Sequence, residues 1–361
     1  MNQEVFSAAS LALLGVTVAV ASAVAVGLVR AFAIKKALLD LPNARSSHRV
    51  PVPRLGGAAF VPVLLLAMVI VWSVWPSASA PVWCLVSSVL GAVGLYGISL
   101  LDDVHSLPTR VRLGVQFVCA AAAVWACTRV TGVSLGLFPG GLLVIAIVGA
   151  LNIFNFMDGI DGIAGVQAVA AGLAWWAIAS ASGAQAVAVA AVCVTGAAVG
   201  FLSLNWPPAK IFMGDAGSTV LGFILAMLPL LLVVETHGSV ALPCALVAGV
   251  LVLWPFLADG TFTIFRRLSK GENIFQPHRS HLYQRLVIAG RPHRQVTSVY
   301  AAFAALGGAF GWCVATRRVI GVSGAISAML LLSIGLMLWT IWTEDSAKKS
   351  ADRMKGGDTP A

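Results

Sequence analysis

The chain has 361 residues, of which 59% are hydrophobic and only 10% are charged, and its mean hydropathy is +0.93. This composition excludes a water-soluble fold, because it lies far above the apolar content of globular domains. The formal net charge is +9, but neither a soluble basic domain nor an interleaved aromatic surface accompanies it, which excludes nucleic acid as a partner. We therefore expect an integral membrane protein that lies in a lipid bilayer.

Apolar runs long enough to cross a bilayer recur along the whole chain. About 20 apolar residues cross roughly 30 Å of hydrocarbon as a helix, whereas lipid-facing β-strands alternate in stretches of about ten residues. We predict an all-α polytopic fold with about eleven transmembrane helices, or ten if the Ala- and Gly-rich region 138–204 holds one fewer. The predicted spans are 8–30, 57–75, 82–101, 113–131, 138–156, 163–181, 183–204, 217–235, 240–258, 296–316 and 319–342.

The basic residues predict which ends of these helices face the cytoplasm. Glu4 precedes the first apolar run and Arg30 follows it, which is the charge order of an anchor with its N-terminus outside. This orientation puts 20 of the 23 Lys and Arg residues on the inner side. We predict a periplasmic N-terminus, a single transmembrane domain over 1–342, and a cytoplasmic, disordered tail over 343–361. The predicted inner loops are about 31–56, 102–112, 152–162, 205–216 and 259–295.

The first inner loop is basic, rich in hydroxyl side chains and punctuated by prolines, a composition typical of turns. Its Arg45, His48 and Arg54 are candidate substrate contacts, because a cytoplasmic surface of this charge attracts anions.

The second inner loop begins where an apolar helix runs directly into Asp102 and Asp103. Adjacent carboxylates at a membrane surface repel each other unless a cation or a proton lies between them. The pair therefore suggests metal binding or proton transfer, and the alternative is a solvated helix end.

The third inner segment carries four polar side chains at helical spacing, namely Asn152, Asn155, Asp158 and Asp161. A glycine follows each aspartate and permits a close approach of the backbone. The likeness to a calcium-binding loop is superficial, since the closing glutamate is missing. The alternative to a binding site is helix capping at a membrane exit.

The fourth segment runs from Asn205 through two prolines, which break one helix, to a Gly-Asp-x-Gly-Ser sequence that opens the next. The free N–H groups of that helix start are an expected place for a phosphate. Asp215 would then be an oxygen ligand that holds Mg²⁺ against the phosphate. The alternative is that Asp215 is an ordinary N-cap.

The fifth segment contains His278, Arg279 and His281 in a basic loop. Arginine forks and imidazole N–H groups suit a diphosphate. A zinc half-site lacks local partner ligands, and a basic loop attracted only to lipid is the remaining alternative.

The order of these motifs resembles the polyprenyl-phosphate N-acetylhexosamine-1-phosphate transferases, which are glycosyltransferase family 4. The resemblance extends from about Asp40 to Arg285 and rests on five ordered motifs. They are Pro-Asn-x-Arg-Ser-Ser-His, Leu-Asp-Asp, Asn-x-x-Asn-x-x-Asp-Gly-x-Asp-Gly, Asn-x-x-Pro-Ala-x-Ile-Phe-Met-Gly-Asp-x-Gly-Ser and His-Arg-Ser-His. The last motif is most similar to the branch that initiates O-antigen synthesis.

This resemblance implies a bacterial inner-membrane enzyme with its active site on the cytoplasmic face. It would transfer a HexNAc 1-phosphate, of GlcNAc, FucNAc or QuiNAc type, from a UDP-sugar to undecaprenyl phosphate and release UMP. The product would start lipopolysaccharide O-antigen or a related cell-envelope glycan. The implied cofactor is Mg²⁺, or Mn²⁺ in its place, and a homodimer is left open.

The resemblance also implies roles for individual residues. Asp215 is the implied metal ligand, and Asp102 and Asp103 are the acidic pair that activates the lipid phosphate or holds metal. Ser106 departs from members with a third acid there. The implied nucleotide and diphosphate contacts are Asn152, Asn155, Asp158, Asp161, Asn205, His278, Arg279 and His281.

Two alternatives stay open at this point. Direct attack by the lipid phosphate and a covalent Asp-phosphate intermediate both fit the motifs, and we favour direct attack because a phosphate monoester is already anionic. The main competitor from another class is a cation-coupled secondary transporter, whose carboxylates are expected in the middle of helices.

Overall fold

The structure is a computed structural model that describes residues 7–41, 50–74, 82–130, 136–273, 276, 278–317 and 321–356. The predicted contacts Arg45 and His48 lie outside the described residues. The helices are α1 (Ala8–Lys35), α2 (Gly56–Val74), α3 (Val82–His105), α4 (Thr109–Val130), α5 (Leu137–Phe156), α6 (Ile163–Ser182), α7 (Gln185–Asn205), α8 (Asp215–Glu235), α9 (Leu242–Val252), α10 (Trp254–Ser269), α11 (Leu282–Ile288), α12 (His293–Ala315) and α13 (Val322–Gly356). Two short strands, β1 (Leu39–Asp40) and β2 (Val52–Pro53), pair antiparallel between α1 and α2.

The described helices confirm the prediction of an all-α polytopic membrane protein. Ten of them are long and apolar enough to cross a membrane, and the bent pair α9 and α10 brings the number to eleven if it is one further span. The predicted numbers of ten and eleven transmembrane helices therefore correspond to leaving out or including the bent pair as a span. The difference between them lies at the bent pair and not in the region 138–204.

The span predicted over 240–258 is broken in the structure, because the helix bends by 79° between α9 and α10. Pro255 lies in the first turn of α10, where its missing N–H removes a hydrogen bond that a continuous helix would need. The side chain of Gln167 donates to the carbonyl oxygen of Val252, the last residue of α9, at 2.9 Å. The break is therefore stabilised from α6.

The last helix also differs from the prediction, which ended it at residue 342 and gave 343–361 as a disordered tail. α13 continues to Gly356. The part beyond residue 342 has a partner, since Glu344 pairs with Arg285 of α11. A helix with tertiary contacts is retained where an isolated polar tail would fray. Residues 357–361 lie outside the described part of the chain.

Helix α8 forms the core of the bundle, because every residue after Asp215 except Ala226 is buried. Its first turn packs against the start of α2, where a Cβ built on Gly57 would lie 2.1 Å from the backbone nitrogen of Gly217. At its other end, the carboxylate of Glu235 accepts the N–H groups of two residues in the first turn of α7, at 2.7 and 3.0 Å. Both ends of α8 are thus fixed by neighbouring helices.

Candidate active site

Asp215, the first residue of α8, lies at the centre of a cluster of charged side chains at one end of the bundle. Its Oδ1 accepts from Arg54 Nη2 at 3.1 Å, and that nitrogen lies 3.3 Å from Asp103 Oδ1. Its Oδ2 lies 3.2 Å from Arg112 Nη1, which pairs with Asp102 Oδ2 at 2.5 Å. Each oxygen of Asp215 therefore shares one arginine with one member of the acidic pair.

The strand pair brings Arg54 to this cluster. β2 ends one residue before Arg54, and the carbonyl oxygen of Pro53 accepts the N–H of Phe212 at 2.8 Å. The carbonyl oxygen of Phe212 in turn accepts the N–H of Gly56 at 2.9 Å. The segment before α2 is thus bonded to the segment before α8, which holds Arg54 beside Asp215.

Asp103 caps helix α8, and the prediction of free N–H groups for a phosphate there is wrong. Its Oδ1 accepts the N–H of Asp215 at 3.0 Å and its Oδ2 accepts the N–H of Ala216 at 3.1 Å. The next two N–H groups bond to the carbonyl oxygen of Gly214. Gly214 has φ +75°, and a Cβ there would lie 2.8 Å from Asp103 Oδ2. A carboxylate of the protein thus occupies the position that a phosphate was expected to take.

Asp102 is also held by the protein, since its Oδ1 accepts the N–H of Leu107 at 2.6 Å while its Oδ2 pairs with Arg112. Arg112 is a site residue that the motifs did not reveal. Its position inside the predicted inner loop 102–112 was the available signal, but a basic residue in such a loop is ordinary. Its contact with Asp215, 103 positions along the chain, could not be inferred from spacing.

Asp158 lies in the loop between α5 and α6, and its half-buried carboxylate forms no hydrogen bond or ion pair with the described residues. Burial and then the charge of Asp215 raise the pKa of Asp158 to about 7, against the opposing effect of Arg54. Its oxygens are therefore available for a ligand, and it is partly protonated near neutral pH.

Asn155 and Asn152 lie on α5, and only Asn155 reaches the start of α8. Its Nδ2 donates to Ser218 Oγ at 2.9 Å. The Nδ2 of Asn152 donates at 2.7 Å to Gln116 Oε1 and to a backbone carbonyl of its own helix. Asn152 therefore joins α5 to α4, and its substrate contact stays a prediction.

Asp161 and Asn205 join the loop before α6 to the loop before α8. Asp161 Oδ2 accepts the N–H of Ala209 at 3.0 Å. The buried amide of Asn205 accepts the N–H of Gly162 at 2.9 Å and donates to the carbonyl oxygen of Ile211 at 2.8 Å. Both side chains thus shape the loops around the acids, and their substrate contacts stay predictions.

The predicted histidine loop precedes α11. The side chain of His281 is 4% exposed and its Nδ1 lies 3.4 Å from the buried carboxylate of Asp259. His278 is half-buried, its Nδ1 lies 3.0 Å from Ser280 Oγ, and burial and nearby positive charge lower its pKa to about 4. His278 is therefore neutral near neutral pH, and any anion contact would use an imidazole N–H together with the adjacent Arg279.

Tyr283 connects this loop with the acidic loop. Its phenolic oxygen donates to the carbonyl oxygen of Phe156 at 3.0 Å, and a Cβ built on Gly159 would lie 2.1 Å from that oxygen. Burial raises the pKa of Tyr283 well above its ordinary value, so the phenol stays protonated and remains a donor. α11 is therefore seated directly on the backbone beside Asp158.

The donor set fits Mg²⁺ only with ligands from outside the protein. Within the part of the chain that the structure describes, no three His, Cys, Asp or Glu side chains are placed to hold a metal together. Both oxygens of Asp103 accept backbone N–H groups, whereas each oxygen of Asp215, whose side chain is 20% exposed, contacts an arginine, and its carboxylate also interacts with the side chain of Asn155. Magnesium usually takes one or two carboxylates together with water and phosphate oxygens. Asp215 and Asp102 can supply the carboxylates, and water and the substrate would supply the other oxygens.

Comparison with known proteins gives a family for this arrangement. Residues 85–233 match the model of a family described as Glycosyl transferase family 4. The matched segment includes the acidic pair, the acidic loop and Asp215, whereas Arg54 and the histidine loop lie outside it.

Three relatives cover most of the chain. A probable undecaprenyl-phosphate N-acetylglucosaminyl 1-phosphate transferase of Bacillus subtilis is 31% identical over 74% of both chains. A decaprenyl-phosphate N-acetylglucosaminephosphotransferase of Mycobacterium tuberculosis is 30% identical over 80% of this chain and 78% of its own. An undecaprenyl-phosphate alpha-N-acetylglucosaminyl 1-phosphate transferase of Escherichia coli K12 is 28% identical over 77% of this chain and 76% of its own.

Proposed function

Because the chain belongs to glycosyl transferase family 4, the polyprenyl-phosphate N-acetylhexosamine-1-phosphate transferases, we propose that it transfers a HexNAc 1-phosphate from a UDP-sugar to undecaprenyl phosphate. The products are UMP and an undecaprenyl-diphosphate sugar. The observation that carries this proposal is the position of Asp215, which is joined through Arg54 and Arg112 to the acidic pair. Catalysis of phosphoryl transfer depends chiefly on charged groups that are held at fixed positions around the phosphate.

N-acetylglucosamine is the sugar that we propose first, and undecaprenyl phosphate the acceptor. The names of all three relatives contain N-acetylglucosamine, and those of two contain undecaprenyl phosphate. FucNAc and QuiNAc remain the alternatives. The product would start a cell-envelope glycan such as lipopolysaccharide O-antigen, and the site would face the cytoplasm of a bacterial inner membrane.

The proposed cofactor is Mg²⁺, with Mn²⁺ as its substitute. Asp102, Asp103 and Asp215 oppose two arginines in the cluster, so one negative charge is left uncompensated, and an ionised Asp158 adds a second. Asp215 would hold the ion, with Asp102 as the second carboxylate. When bound, the ion supplies neutralisation of the charge on the donor diphosphate.

The side chains favour direct attack by the acceptor phosphate. An oxygen of the lipid phosphate would bond to the phosphorus that bears the sugar, and the bond from that phosphorus to the UMP oxygen would break. A covalent Asp-phosphate on Asp102 or Asp103 is disfavoured, because both oxygens of each already accept hydrogen bonds from the protein. Arg54 and Arg112 would position and neutralise the anionic groups instead.

A cation-coupled transporter is less well supported. Its carboxylates are expected in the middle of spans, at the depth of a binding site between repeats. Here Asp102 and Asp103 lie at the end of α3, Asp158 lies in a loop, and Asp215 is the first residue of α8.

The test is UMP release by the purified protein from UDP-GlcNAc. We expect release to require both undecaprenyl phosphate and a divalent cation. Asp215→Asn should lower the rate by roughly 10²-fold or more, in line with the loss of a central electrostatic group. Asp345→Asn, which changes an exposed acid on α13, is the matched control and should keep the normal rate. Full activity of Asp215→Asn would contradict the metal assignment.

A further inference from the structure

The C-terminal half of α13 is joined to α11 by an ion pair with two hydrogen bonds. Arg285 Nε lies 2.8 Å from Glu344 Oε1, and Arg285 Nη2 lies 2.7 Å from Glu344 Oε2. The two side chains are only 15% and 28% exposed. Paired hydrogen bonds of this kind fix orientation as well as distance, because the planar guanidinium must lie in register with the carboxylate.

A second contact joins α13 to the segment just after α11. The guanidinium of Arg291, just after α11, lies 5.8 Å from the ring centroid of Trp339 and 5.6 Å from that of Trp342. Such contacts between a cation and aromatic rings are favourable, more so where water is partly excluded. α13 therefore contacts the segment 282–291 at two separate points.

The opposite side of α11 faces the proposed active site. The buried carboxylate of Asp259 accepts the N–H groups of Leu282 and Tyr283 at 2.9 and 3.2 Å, and the hydroxyl of Tyr300 at 2.6 Å. The phenol of Tyr283 then bonds to the loop beside Asp158, through the carbonyl oxygen of Phe156. α11 is a short helix between these contacts and α13, so its placement depends on both.

We propose that Glu344 is a positioning residue, which through Arg285 fixes α11 and with it the loop 278–281 that precedes α11. This inference rests on the proposed function together with the predicted contact of His278, Arg279 and His281 with the donor diphosphate. Glu344 has no contact with the cluster of Asp102, Asp103 and Asp215 among the described residues. Loosening it should therefore weaken the use of the nucleotide sugar and leave the use of the lipid phosphate unchanged.

The kinetic test compares Glu344→Gln with the wild-type protein. We expect the KM for the UDP-sugar to rise roughly three- to tenfold, the range for a partly buried paired ion contact, while the KM for undecaprenyl phosphate stays the same. Asp345→Asn removes the same charge from the neighbouring exposed position and should change neither value. The charge exchange Arg285→Glu with Glu344→Arg should restore most of the loss. An equal rise of both KM values, or no change in either, would overturn the proposal.

A second measurement needs no enzymatic activity, so that it separates this inference from the proposed function. Hydrogen exchange of the intact protein in a bilayer reports local opening of the segment 282–291. Glu344→Gln should speed exchange in that segment, the charge exchange should slow it again, and α8 should be unaffected. If the wild type released no UMP while exchange followed this order, the proposed function would fail and the link between α13 and α11 would stand. Unchanged exchange in Glu344→Gln would overturn the link itself.

Discussion

Asp215 has two carboxylate oxygens and each of them contacts a different arginine, so the charge of this one residue is shared between two neighbouring elements. Arg54 comes from the segment before α2, and Arg112 comes from the first turn of α4. Removal of either arginine would leave a carboxylate of the cluster without its compensating charge, which is costly where water is scarce.

Arg112 is therefore expected to matter as much as the acids themselves. Arg112→Ala should reduce UMP release by roughly 10²-fold, because Asp102 and Asp215 lose the cation that they share. Arg112→Lys should recover much of the rate, since both contacts of Arg112 are made by the single nitrogen Nη1 and an ammonium can place one cationic nitrogen there. Arg110→Ala removes an exposed cation two positions away and serves as the control. A normal rate in Arg112→Ala would show that this arginine has no part in the reaction.

Asp158 should make the stability of the metal-free protein fall as the pH rises. The pKa of its carboxyl in the folded protein is about 7, against an ordinary value of 3.8. Between these values the folded protein keeps a proton that the unfolded chain has released, so raising the pH through this window removes stability. In EDTA, the thermal midpoint of the wild type should drop by a few degrees between about pH 5 and about pH 8.

The same measurement on Asp158→Asn isolates this group, because the amide does not titrate. Its midpoint should depend less steeply on pH than that of the wild type, and Asp345→Asn should keep the wild-type dependence. Identical slopes in Asp158→Asn and the wild type would mean that Asp158 has an ordinary pKa.

At this scale the sequence predicted which acids meet but not how their oxygens are used. Asp102, Asp103 and Asp215 stand out as scarce carboxylates beside apolar runs, and the structure brings them together. The capping of α8 by Asp103 joins positions 112 residues apart, and no local pattern encodes a contact over that separation. The prediction of a phosphate at the start of α8 was wrong for the same reason, since the local sequence does not reveal that Asp103 bonds to those N–H groups.

Among the elements, α11 shows how a close backbone approach fixes a site. A Cβ at Gly159 would lie 2.1 Å from the phenolic oxygen of Tyr283 and 3.0 Å from the ring carbon that bears it. A side chain at Gly159 must therefore push α11 away from the acidic loop.

Gly159→Ala is accordingly expected to impair the enzyme through α11. It should lower kcat/KM for the UDP-sugar by roughly tenfold or more, as a displacement of positioning groups does. Adding Tyr283→Phe removes the oxygen that meets the new methyl group and should recover part of that loss. Gly114→Ala, where nothing lies within 4 Å of the new atom, is the control. No recovery in the double variant would mean that the clash does not act through Tyr283.

The sequence predicted the element boundaries that hydrophobicity alone sets. It did not predict the boundaries that tertiary contacts set. The centres of the long spans follow from runs of apolar residues. The bend at Leu253 depends on Pro255 and on the side chain of Gln167 from α6. The extension of α13 past residue 342 depends on Arg285 of another helix, so its polar sequence was read as a tail.

For the whole molecule, the arrangement of the spans places the chemistry at one end of the bundle. The ends of α3 and α5 and the start of α8 meet there, where Arg54, from the segment before α2, contacts Asp215 and Tyr283 of α11 bonds to the end of α5. A lipid phosphate and a soluble nucleotide sugar can meet only where headgroups contact water, which is the level of helix ends. The choice of the cytoplasmic side rests on the distribution of basic residues and stays a prediction.

The central claim is transfer of a sugar together with its phosphate, and a doubly labelled donor tests it most directly. UDP-GlcNAc with one label on the sugar and another on the phosphorus next to it would be incubated with the purified protein and undecaprenyl phosphate. We predict that both labels enter the lipid fraction in equal amounts and that unlabelled UMP remains in water. Entry of the sugar label alone, with the labelled phosphorus left in UDP, would contradict the account, as would failure of either label to reach the lipid.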